Sequence, residues 1–230
     1  MKTTRFISLA ILFAMITTGC GNASQGGDTT GNLEGKLPDP NIKGRVSVEQ
    51  TLNERKSVRS FQDKPLSVEQ VSQLLWAAQG VTHSWGERLF RTAPSAGATY
   101  PLETYLFTAS GVYKYVPKDH SLIKVFSEDL RKKLSDASLG QTAVSDAHAV
   151  FVFTMIEERT AQRYGERAYR YICMEAGHVA QNIHLQAVAL GLGSVPVGAF
   201  YDDQVSEILK CNEGEVPIYI VPVGYEAVVE

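Results

Sequence analysis

The chain has 230 residues and a formal net charge of −3, with 44% hydrophobic and 20% charged residues, as in ordinary globular proteins. A chain of this length forms one large domain or two small ones. Its 22 Lys and Arg residues do not exceed its 25 Asp and Glu residues, so it lacks the basic excess of a nucleic-acid-binding protein, and we expect no such partner.

Residues 1–20 predict a lipoprotein-type signal peptide. Two basic residues precede an apolar run from Phe6 to Ile16 that is too short to span a bilayer as a mature helix. The letters TTG before Cys20 resemble a bacterial lipobox, with Thr17 where Leu is usual. We expect lipidation at Cys20, export, and anchoring to the bacterial cell envelope on its periplasmic or outer face. The alternative is a plain secretion signal cut near Gly19.

Residues 21–44 predict a flexible tether. Gly, Asn, Ser, Thr, Asp and Pro dominate this segment, and such a composition buries too little apolar surface to fold by itself. We therefore place the folded domain at residues 45–230. The cysteines besides Cys20 are Cys173 and Cys211. They have neither a disulfide-framework pattern nor metal-ligand spacing, and we expect no metal site.

Helix caps mark the start of the folded domain. In SVEQTLNERKSVRSF, Ser47 is a candidate N-cap. In PLSVEQVSQLLWAAQGV, Ser67 and Gln70 form a capping-box pattern, and Gly80 predicts the end of the helix. The sequence therefore predicts two successive helices.

The central segments mix strand and helix signals. ETYLFTASGVYKYV alternates around Ser110-Gly111, which is typical of a β-hairpin. SLIKVFSEDLRKKLSDAS is interpreted as a surface helix, and the apolar run AHAVFVFTMI predicts a buried strand. SVPVGAF and PIYIVPVGY are predicted as closing strands. We predict an α+β fold with a mostly antiparallel or mixed sheet flanked by helices.

The longest predicted helix runs from Gly165 to Leu190. Its apolar residues fall on nearly every side, and a helix of that kind is covered all round. We therefore expect a second subunit to supply part of the cover. His178, Gln181 and Asn182 form a polar strip, which is either a satisfied core network or part of a site or dimer interface.

Two short motifs are candidates for binding. RKSVR places Arg55, Ser57 and Arg59 at alternate positions, where two guanidinium groups and a hydroxyl could hold an anion. A solvated basic face is the alternative. RTAPSAGATYP has neither charge nor bulk between Thr92 and Thr99. Such a segment is either a tight turn or backbone that comes close to something flat.

Seven motifs occur in the order typical of one family: RKSVRSF, PLSVEQVSQLLWAAQGV, APSAGATYPLE, GVYKYVPKDHSL, YGERAYRY, EAGHVAQNIHLQAVALGLGSVPVGAF and PIYIVPVGY. From about Leu37 to Tyr225 the chain resembles the FMN-dependent nitroreductase superfamily, most closely its SagB/ThcOx-type branch of thiazole- and oxazole-forming dehydrogenases. The resemblance implies a nitroreductase-like fold, an intertwined homodimer and FMN as cofactor.

The resemblance also implies cofactor contacts. The arginine cradle, made of Arg55, Ser57 and Arg59, would hold the phosphate, the ribityl chain and the pyrimidine edge. The small-residue loop, made of Pro94, Ser95, Ala96 and Gly97, would pack against the isoalloxazine ring. The backbone of Pro196, Val197 and Gly198 would cover the other face of the ring and offer an N–H. In this family the loop often comes from the second subunit.

The expected catalytic pair differs from that of the family. Azoline-oxidising members use a Lys-Tyr pair as acid and base, whereas this chain has Arg163-Tyr164. Because Arg is not deprotonated at working pH, Arg163 can steer charge but cannot be a general base. Tyr164 is therefore the candidate for proton transfer, the alternative being one more packing aromatic.

Two further positions depart from common family patterns. Ala98 and Tyr100 stand where wider nitroreductases often carry Asn and Gln, and Tyr225 stands where relatives often have Arg. The function we expect is an exported, membrane-tethered FMN-dependent oxidoreductase that transfers hydride to or from a small organic substrate. The alternative is a non-catalytic flavin- or ligand-binding envelope lipoprotein.

Overall fold

A seven-stranded antiparallel sheet forms the centre of the computed structural model, which describes residues 29–227. The strands are β1 (Gly35–Lys36), β2 (Val81–Trp85), β3 (Arg88–Arg91), β4 (Leu102–Thr108), β5 (Gly111–Val116), β6 (Ser121–Phe126), β7 (Ala149–Ile156), β8 (Gly193–Ser194) and β9 (Glu215–Gly224). Strands β2 and β3 form a separate hairpin, and the others pair in the order β1-β6-β5-β4-β7-β9-β8.

Helices cover both faces of the sheet. They are α1 (Val48–Glu54), α2 (Val68–Gln79), α3 (Arg131–Ala137), α4 (Thr142–Asp146), α5 (Glu158–Tyr164), α6 (Ala168–Ala189) and α7 (Asp202–Leu209). Helices α2 and α6 pack on one face together with Phe151 and Phe153. Helices α3, α4 and α7 pack on the other with Val150 and Val152. The prediction of an α+β domain with helices flanking an antiparallel sheet is confirmed.

Local sequence signals account for several elements. The Ser47 hydroxyl accepts from the Gln50 N–H at 3.1 Å and begins α1. Ser67 and Gln70 form both bonds of the predicted capping box, at 3.2 and 2.9 Å, and begin α2. The predicted β4–β5 hairpin forms, with its turn at Ala109-Ser110, one residue before the predicted Ser110-Gly111. Strand β7 is buried on both faces, which explains its continuous apolar run.

Two predicted elements are wrong in part. SLIKVF forms strand β6 rather than the start of a helix, because Leu122 is buried in the sheet and the segment pairs along β5. The helix begins only at Arg131. SVPVGAF is mostly not a strand. Pro196 has no N–H to donate to a ladder, and after β8 only Val197 forms a bridge, with Ile220.

The predicted tether is too long. Its described part, residues 29–44, packs onto the domain: Leu33 and Leu37 are 6% and 3% exposed in the core, and β1 pairs with β6. Two leucines anchor a segment whose average composition is polar, so the fold begins by Thr29 rather than at residue 45. The predicted signal peptide, Cys20 and residues 21–28 lie outside the described residues.

Helix α6 is buried along one face and open along the other. Ile172, Val179 and Ile183 are fully buried, whereas Met174 is 48% exposed. A single chain therefore leaves this face uncovered, and the expectation that a second subunit supplies the remaining cover stays a prediction. His178 and Gln181 are exposed, so the polar strip is not a buried core network. Within residues 29–227 no helix is both long enough and apolar enough to cross a bilayer.

We predict that Gly193→Ala destabilises the fold by about 1–3 kcal/mol, the usual cost of overpacking. An added Cβ would lie 2.6 Å from the Val58 Cβ, where β8 meets the segment that follows α1. Chemical denaturation measures the change. Gly44→Ala is the control, because its Cβ would meet only the Val46 oxygen at 3.9 Å. Equal stability of both variants would contradict the tight packing at Gly193.

Candidate functional site

The arginine cradle lies where the end of α1 meets β8. Arg55 is the C-cap of α1, and its N–H donates to the Thr51 carbonyl at 3.0 Å. Ser57 bridges to Ser194, and the Val58 N–H donates to the Ser194 carbonyl at 3.0 Å. Val58 is buried while Ser57 and Arg59 are exposed, which is the alternation expected of extended chain.

The cradle's positive charge is not neutralised by the rest of the described chain. The guanidinium groups of Arg55 and Arg59 have no hydrogen bond or ion pair to any residue within 29–227. Arg55 is partly buried and Arg59 is exposed. Two arginines without carboxylate partners, beside a free hydroxyl at Ser57, can bind an anion.

A buried histidine that the sequence analysis missed lies beneath this cradle. His184 of α6 is 4% exposed, and its Nδ1 is 2.6 Å from the Ser194 hydroxyl. Its Nε2 is buried without a partner among the described residues. Burial, followed by the nearby charge of Arg55, lowers the pKa of His184 to about 4. The imidazole is therefore neutral at pH 7.

The small-residue loop is a tight turn with an unusual backbone. Gly97, Ala98 and Tyr100 have φ of 63°, 54° and 47°, so three of four consecutive residues are in the left-handed region. Ala98 and Tyr100 carry a Cβ, and such conformations cost free energy and cluster at functional sites. The segment is a turn, as one of the two interpretations predicts, and the approach of its backbone to something flat stays a prediction.

Hydrogen bonds fix the loop in this conformation. The Ser95 hydroxyl accepts from the Tyr100 N–H at 2.9 Å. The Thr99 and Thr160 hydroxyls are 2.8 Å apart and join the loop to α5. The Tyr100 hydroxyl accepts from the Arg91 N–H at 3.1 Å. The loop is therefore a rigid surface rather than an adaptable one.

The predicted catalytic pair meets the small-residue loop within one chain. A Cβ built on Gly97 would lie 2.9 Å from both the Arg163 Nη1 and the Tyr164 hydroxyl oxygen. The Tyr164 ring also packs edge-on against Tyr171, with centroids 5.0 Å apart. Tyr164 thus combines packing of its ring with a hydroxyl at the loop, so the two interpretations of this residue are compatible.

A buried carboxyl, Glu175 of α6, lies beneath the same loop. It is 3% exposed, and its Oε1 has no hydrogen-bond partner among the described residues. Burial raises its pKa to about 7, although Ser95, Arg91 and Gln79 face it and favour the charged form. The sequence analysis missed Glu175. Its one signal was a carboxylate on the apolar side of the longest helix.

The segment of Pro196, Val197 and Gly198 offers fewer donors than expected. Proline has no N–H. Val197 uses its N–H and carbonyl in bonds of 2.8 and 3.1 Å to Ile220. Gly198 is exposed, and its N–H makes no bond to a residue within the described range. Among these three residues, Gly198 is therefore the one whose backbone N–H is available to bind a ligand.

Helix α6 separates the site residues of one chain into two groups. Glu175 lies beneath the small-residue loop, and His184 lies beneath the arginine cradle. The step of nine positions from Glu175 to His184 corresponds to about 13 Å along a helix axis. One chain thus brings the loop together with Arg163 and Tyr164, and the cradle together with β8, at two points along the same helix.

We predict that Glu175→Gln removes a pH dependence of stability. A carboxyl with a pKa near 7 when folded and 4.5 when unfolded stabilises the fold below pH 4.5 and loses that contribution as the pH rises to 7. Relative to the wild type, the variant should gain up to about 3 kcal/mol across this window. Denaturation at several pH values measures it.

The exposed Glu166→Gln is the control, and its stability should stay parallel to that of the wild type. His184 contributes a slope of opposite sign between about pH 4 and 6.5, but it is present in all three proteins and cancels in the difference. Parallel profiles for Glu175→Gln and the wild type would contradict the buried acid.

Comparisons with known proteins place this chain in one family. The nitroreductase family model matches residues 52–225. The Methanocaldococcus jannaschii protein MJ1384, named as a candidate nitroreductase, is 44% identical over 204 residues, which are 86% of this chain and 98% of that protein. A Ralstonia eutropha crystal structure with a similar name has a TM-score of 0.74 at 29% identity, covering 89% of this chain and 95% of the other.

One further relative bears on the branch within this family. The microcin B17-processing protein McbC of Escherichia coli is 28% identical over 142 residues, which are 57% of this chain and 52% of that protein. The chain therefore spans about half the length of McbC, and this similarity is consistent with the SagB-type branch that the seven motifs resemble. The family match confirms the family itself: the chain belongs to the nitroreductase family.

Proposed function

We propose that this protein is an FMN-dependent oxidoreductase that transfers hydride to or from a small organic substrate. The observation that carries the proposal is the arginine cradle: two guanidinium groups without partners in the described chain, beside an exposed hydroxyl. Oxidoreductase membership follows from the family. The identity of the flavin and the substrate class belong to the proposal.

The residues present fit FMN. A flavin mononucleotide needs an anion site, a flat slot and a few fixed donors. Arg55 and Arg59 supply unpaired charge, and the buried His184 Nε2 beneath them has no partner among the described residues. The small-residue loop supplies flat backbone, and the Gly198 N–H is available. No residue in this set carries a negative charge that would repel a bound phosphate.

The residues of the chain itself would bind and orient the flavin and would transfer a proton at the substrate. Arg55, Ser57 and Arg59 would hold the phosphate, ribityl chain and pyrimidine edge, while the rigid small-residue loop packs on the ring. The bound flavin supplies hydride transfer. The Tyr164 hydroxyl, which lies against Gly97, would give or take a proton at the substrate. Arg163 stays charged and would attract anionic substrates or stabilise developing negative charge.

We propose that the complete site needs two copies of the chain. The loop and the cradle lie at two points along α6, and the open face of α6 carries Met174. Beside it, a cavity of about 820 Å³ lies between residues 41–48, α2 and the second half of α6. A partner subunit seated there would bring its loop to this chain's cradle.

The flavin-loaded protein should have the mass of a dimer in static light scattering at micromolar concentration. Met174→Glu places a charge on the open face of α6 and should shift the protein toward monomers with weaker flavin binding. Ile123→Glu on β6 is the control, because that residue is 54% exposed but remote in sequence from this face. A flavin-loaded wild-type monomer would overturn the two-copy site.

Arg55→Ala should weaken FMN binding tenfold to hundredfold, because losing a charge-assisted contact costs about 1.5–3 kcal/mol. Tyr164→Phe should keep FMN and lose about 10²–10⁴-fold in turnover, the usual cost of losing a general acid or base. Fluorescence measures FMN affinity. Reoxidation of the reduced flavin by nitro, quinone and azoline compounds measures turnover.

Arg88→Ala, at an exposed position on β3, is the matched control and should change neither quantity. Unchanged FMN affinity in Arg55→Ala would place the phosphate site elsewhere. Full turnover by Tyr164→Phe on every active substrate would leave Tyr164 as a packing residue only.

We also propose that the protein is exported and anchored through Cys20. The support is the leader composition, with its short apolar run followed by TTG and Cys20. Cys20→Ala should release the protein from the membrane fraction or leave the leader uncut, as judged by fractionation and mass spectrometry. A variant that is cleaved normally and still sediments with membranes would refute the anchor.

A further inference from the structure

Glu175 is a buried carboxyl of α6 that lies near Ser95 of the small-residue loop. Three groups face its carboxyl: the Ser95 hydroxyl of the loop, the Gln79 amide at the end of α2, and the Arg91 guanidinium of β3. Gln79 is fully buried, and its Nε2, like the Glu175 Oε1, has no partner among residues 29–227. The carboxyl is thus enclosed by polar groups that leave part of its hydrogen-bonding capacity unused.

Ser95 connects this pocket to the outer surface of the loop. Its hydroxyl oxygen accepts from the Tyr100 N–H at 2.9 Å, so its own proton stays free to be donated. Ser95 is partly exposed, whereas Glu175 is buried. A hydroxyl in this position can receive a proton from the carboxyl and give its own to a group bound on the other side.

Arg91 allows Glu175 to exist in both protonation states. Its Nη1 donates to the Gln79 Oε1 at 3.0 Å, and its guanidinium lies 4.4 Å over the Tyr100 ring. The positive charge stabilises a carboxylate, while burial favours the acid. Glu103 and Arg159 lie farther out around Arg91 and oppose each other in charge.

We propose that Glu175 is the proton-holding residue of this site, acting through the Ser95 hydroxyl on whatever is bound against the small-residue loop. The inference rests on the proposed function. Two-electron reduction of an acceptor adds one hydride, supplied by the reduced flavin, and one proton. Ser95 gives its proton to the acceptor and regains one from Glu175. A carboxylate remains at Glu175 beside Arg91, and solvent later reprotonates it.

The titration range of Glu175 agrees with this role. Burial raises its pKa to about 7, and a group that titrates near the working pH can both give and regain a proton. The Tyr164 hydroxyl lies against Gly97 of the same loop. In this site, Tyr164 would transfer a proton directly to or from the substrate, while the buried Glu175 would hold a proton behind the loop.

Infrared spectroscopy of the full-length protein without flavin tests the protonation directly. The wild type should show the carbonyl stretch of a buried carboxylic acid that disappears with a midpoint near pH 7. Glu175→Gln should lack it, whereas Ser95→Ala and the control Glu166→Gln should retain it. Absence of this band from the wild type at pH 5 would overturn the proposal.

Stopped-flow oxidation of the flavin-loaded, dithionite-reduced protein by 1,4-benzoquinone tests the transfer. The wild-type rate should fall as the pH rises through about 7. Glu175→Gln and Ser95→Ala should lose that inflection and react about 100-fold more slowly at pH 6, while Glu166→Gln behaves as the wild type.

An inflection that survives unchanged in Glu175→Gln would overturn this inference and leave the proposed function intact, since a merely structural glutamate does not set a pH profile. A full-length protein that binds no FMN would overturn the proposed function, and the transfer role with it. The infrared band distinguishes these two failures, because it is read without flavin.

Discussion

The packing of helix α6 on the sheet is the constraint on which the rest of the site depends. Its buried residues, among them Ile172, Val179 and Ile183, fix the helix against α2 and the strands. The same side of the helix carries Glu175 and His184, so the packing that builds the core also places one ionisable group under the loop and another under the cradle. Neither residue has freedom to adjust without disturbing the core.

Burial shifts the pKa values of these two groups for the same reason and in opposite directions. Burial removes water from both and disfavours their charged forms, which raises the pKa of Glu175 and lowers that of His184. Each faces an arginine, Arg91 and Arg55 respectively. Arg55 thus has a neutral imidazole below it, and its positive charge remains available to an anion, whereas Arg91 faces a carboxyl that titrates near pH 7.

The features that could be predicted from the sequence are those that depend on residues close together in the chain. The caps at Ser47 and Ser67 satisfy N–H groups of the same helix, and the β4–β5 hairpin is set by its turn. The binding motifs were found because each is a short continuous segment. Strand β6 was missed because its few buried side chains precede a charged helix, and residues 29–44 because Leu33 and Leu37 are two apolar residues in a polar segment.

Glu175 and His184 could not be recognised in the sequence, since a polar residue on a helix becomes informative only when its neighbours in space are known. The polar strip at His178 and Gln181 was noticed instead, and it lies on the open side of the same helix. The distinction between the two sides depends on the rotation of α6 relative to the sheet, which tertiary packing decides.

The edge strands of the sheet affect how the protein can associate with other copies of itself in solution. The strands at its two borders, β1 and β8, are only two residues long each. A long unpaired border would expose a row of N–H and carbonyl groups on which another chain could add a strand. On β6 this cover is incomplete, because β1 pairs only with Ser121 and Leu122, and residues 123–126 border no other described strand on that side. This four-residue stretch, which carries the exposed Ile123, is therefore the part of the sheet edge on which a neighbouring copy could add a strand.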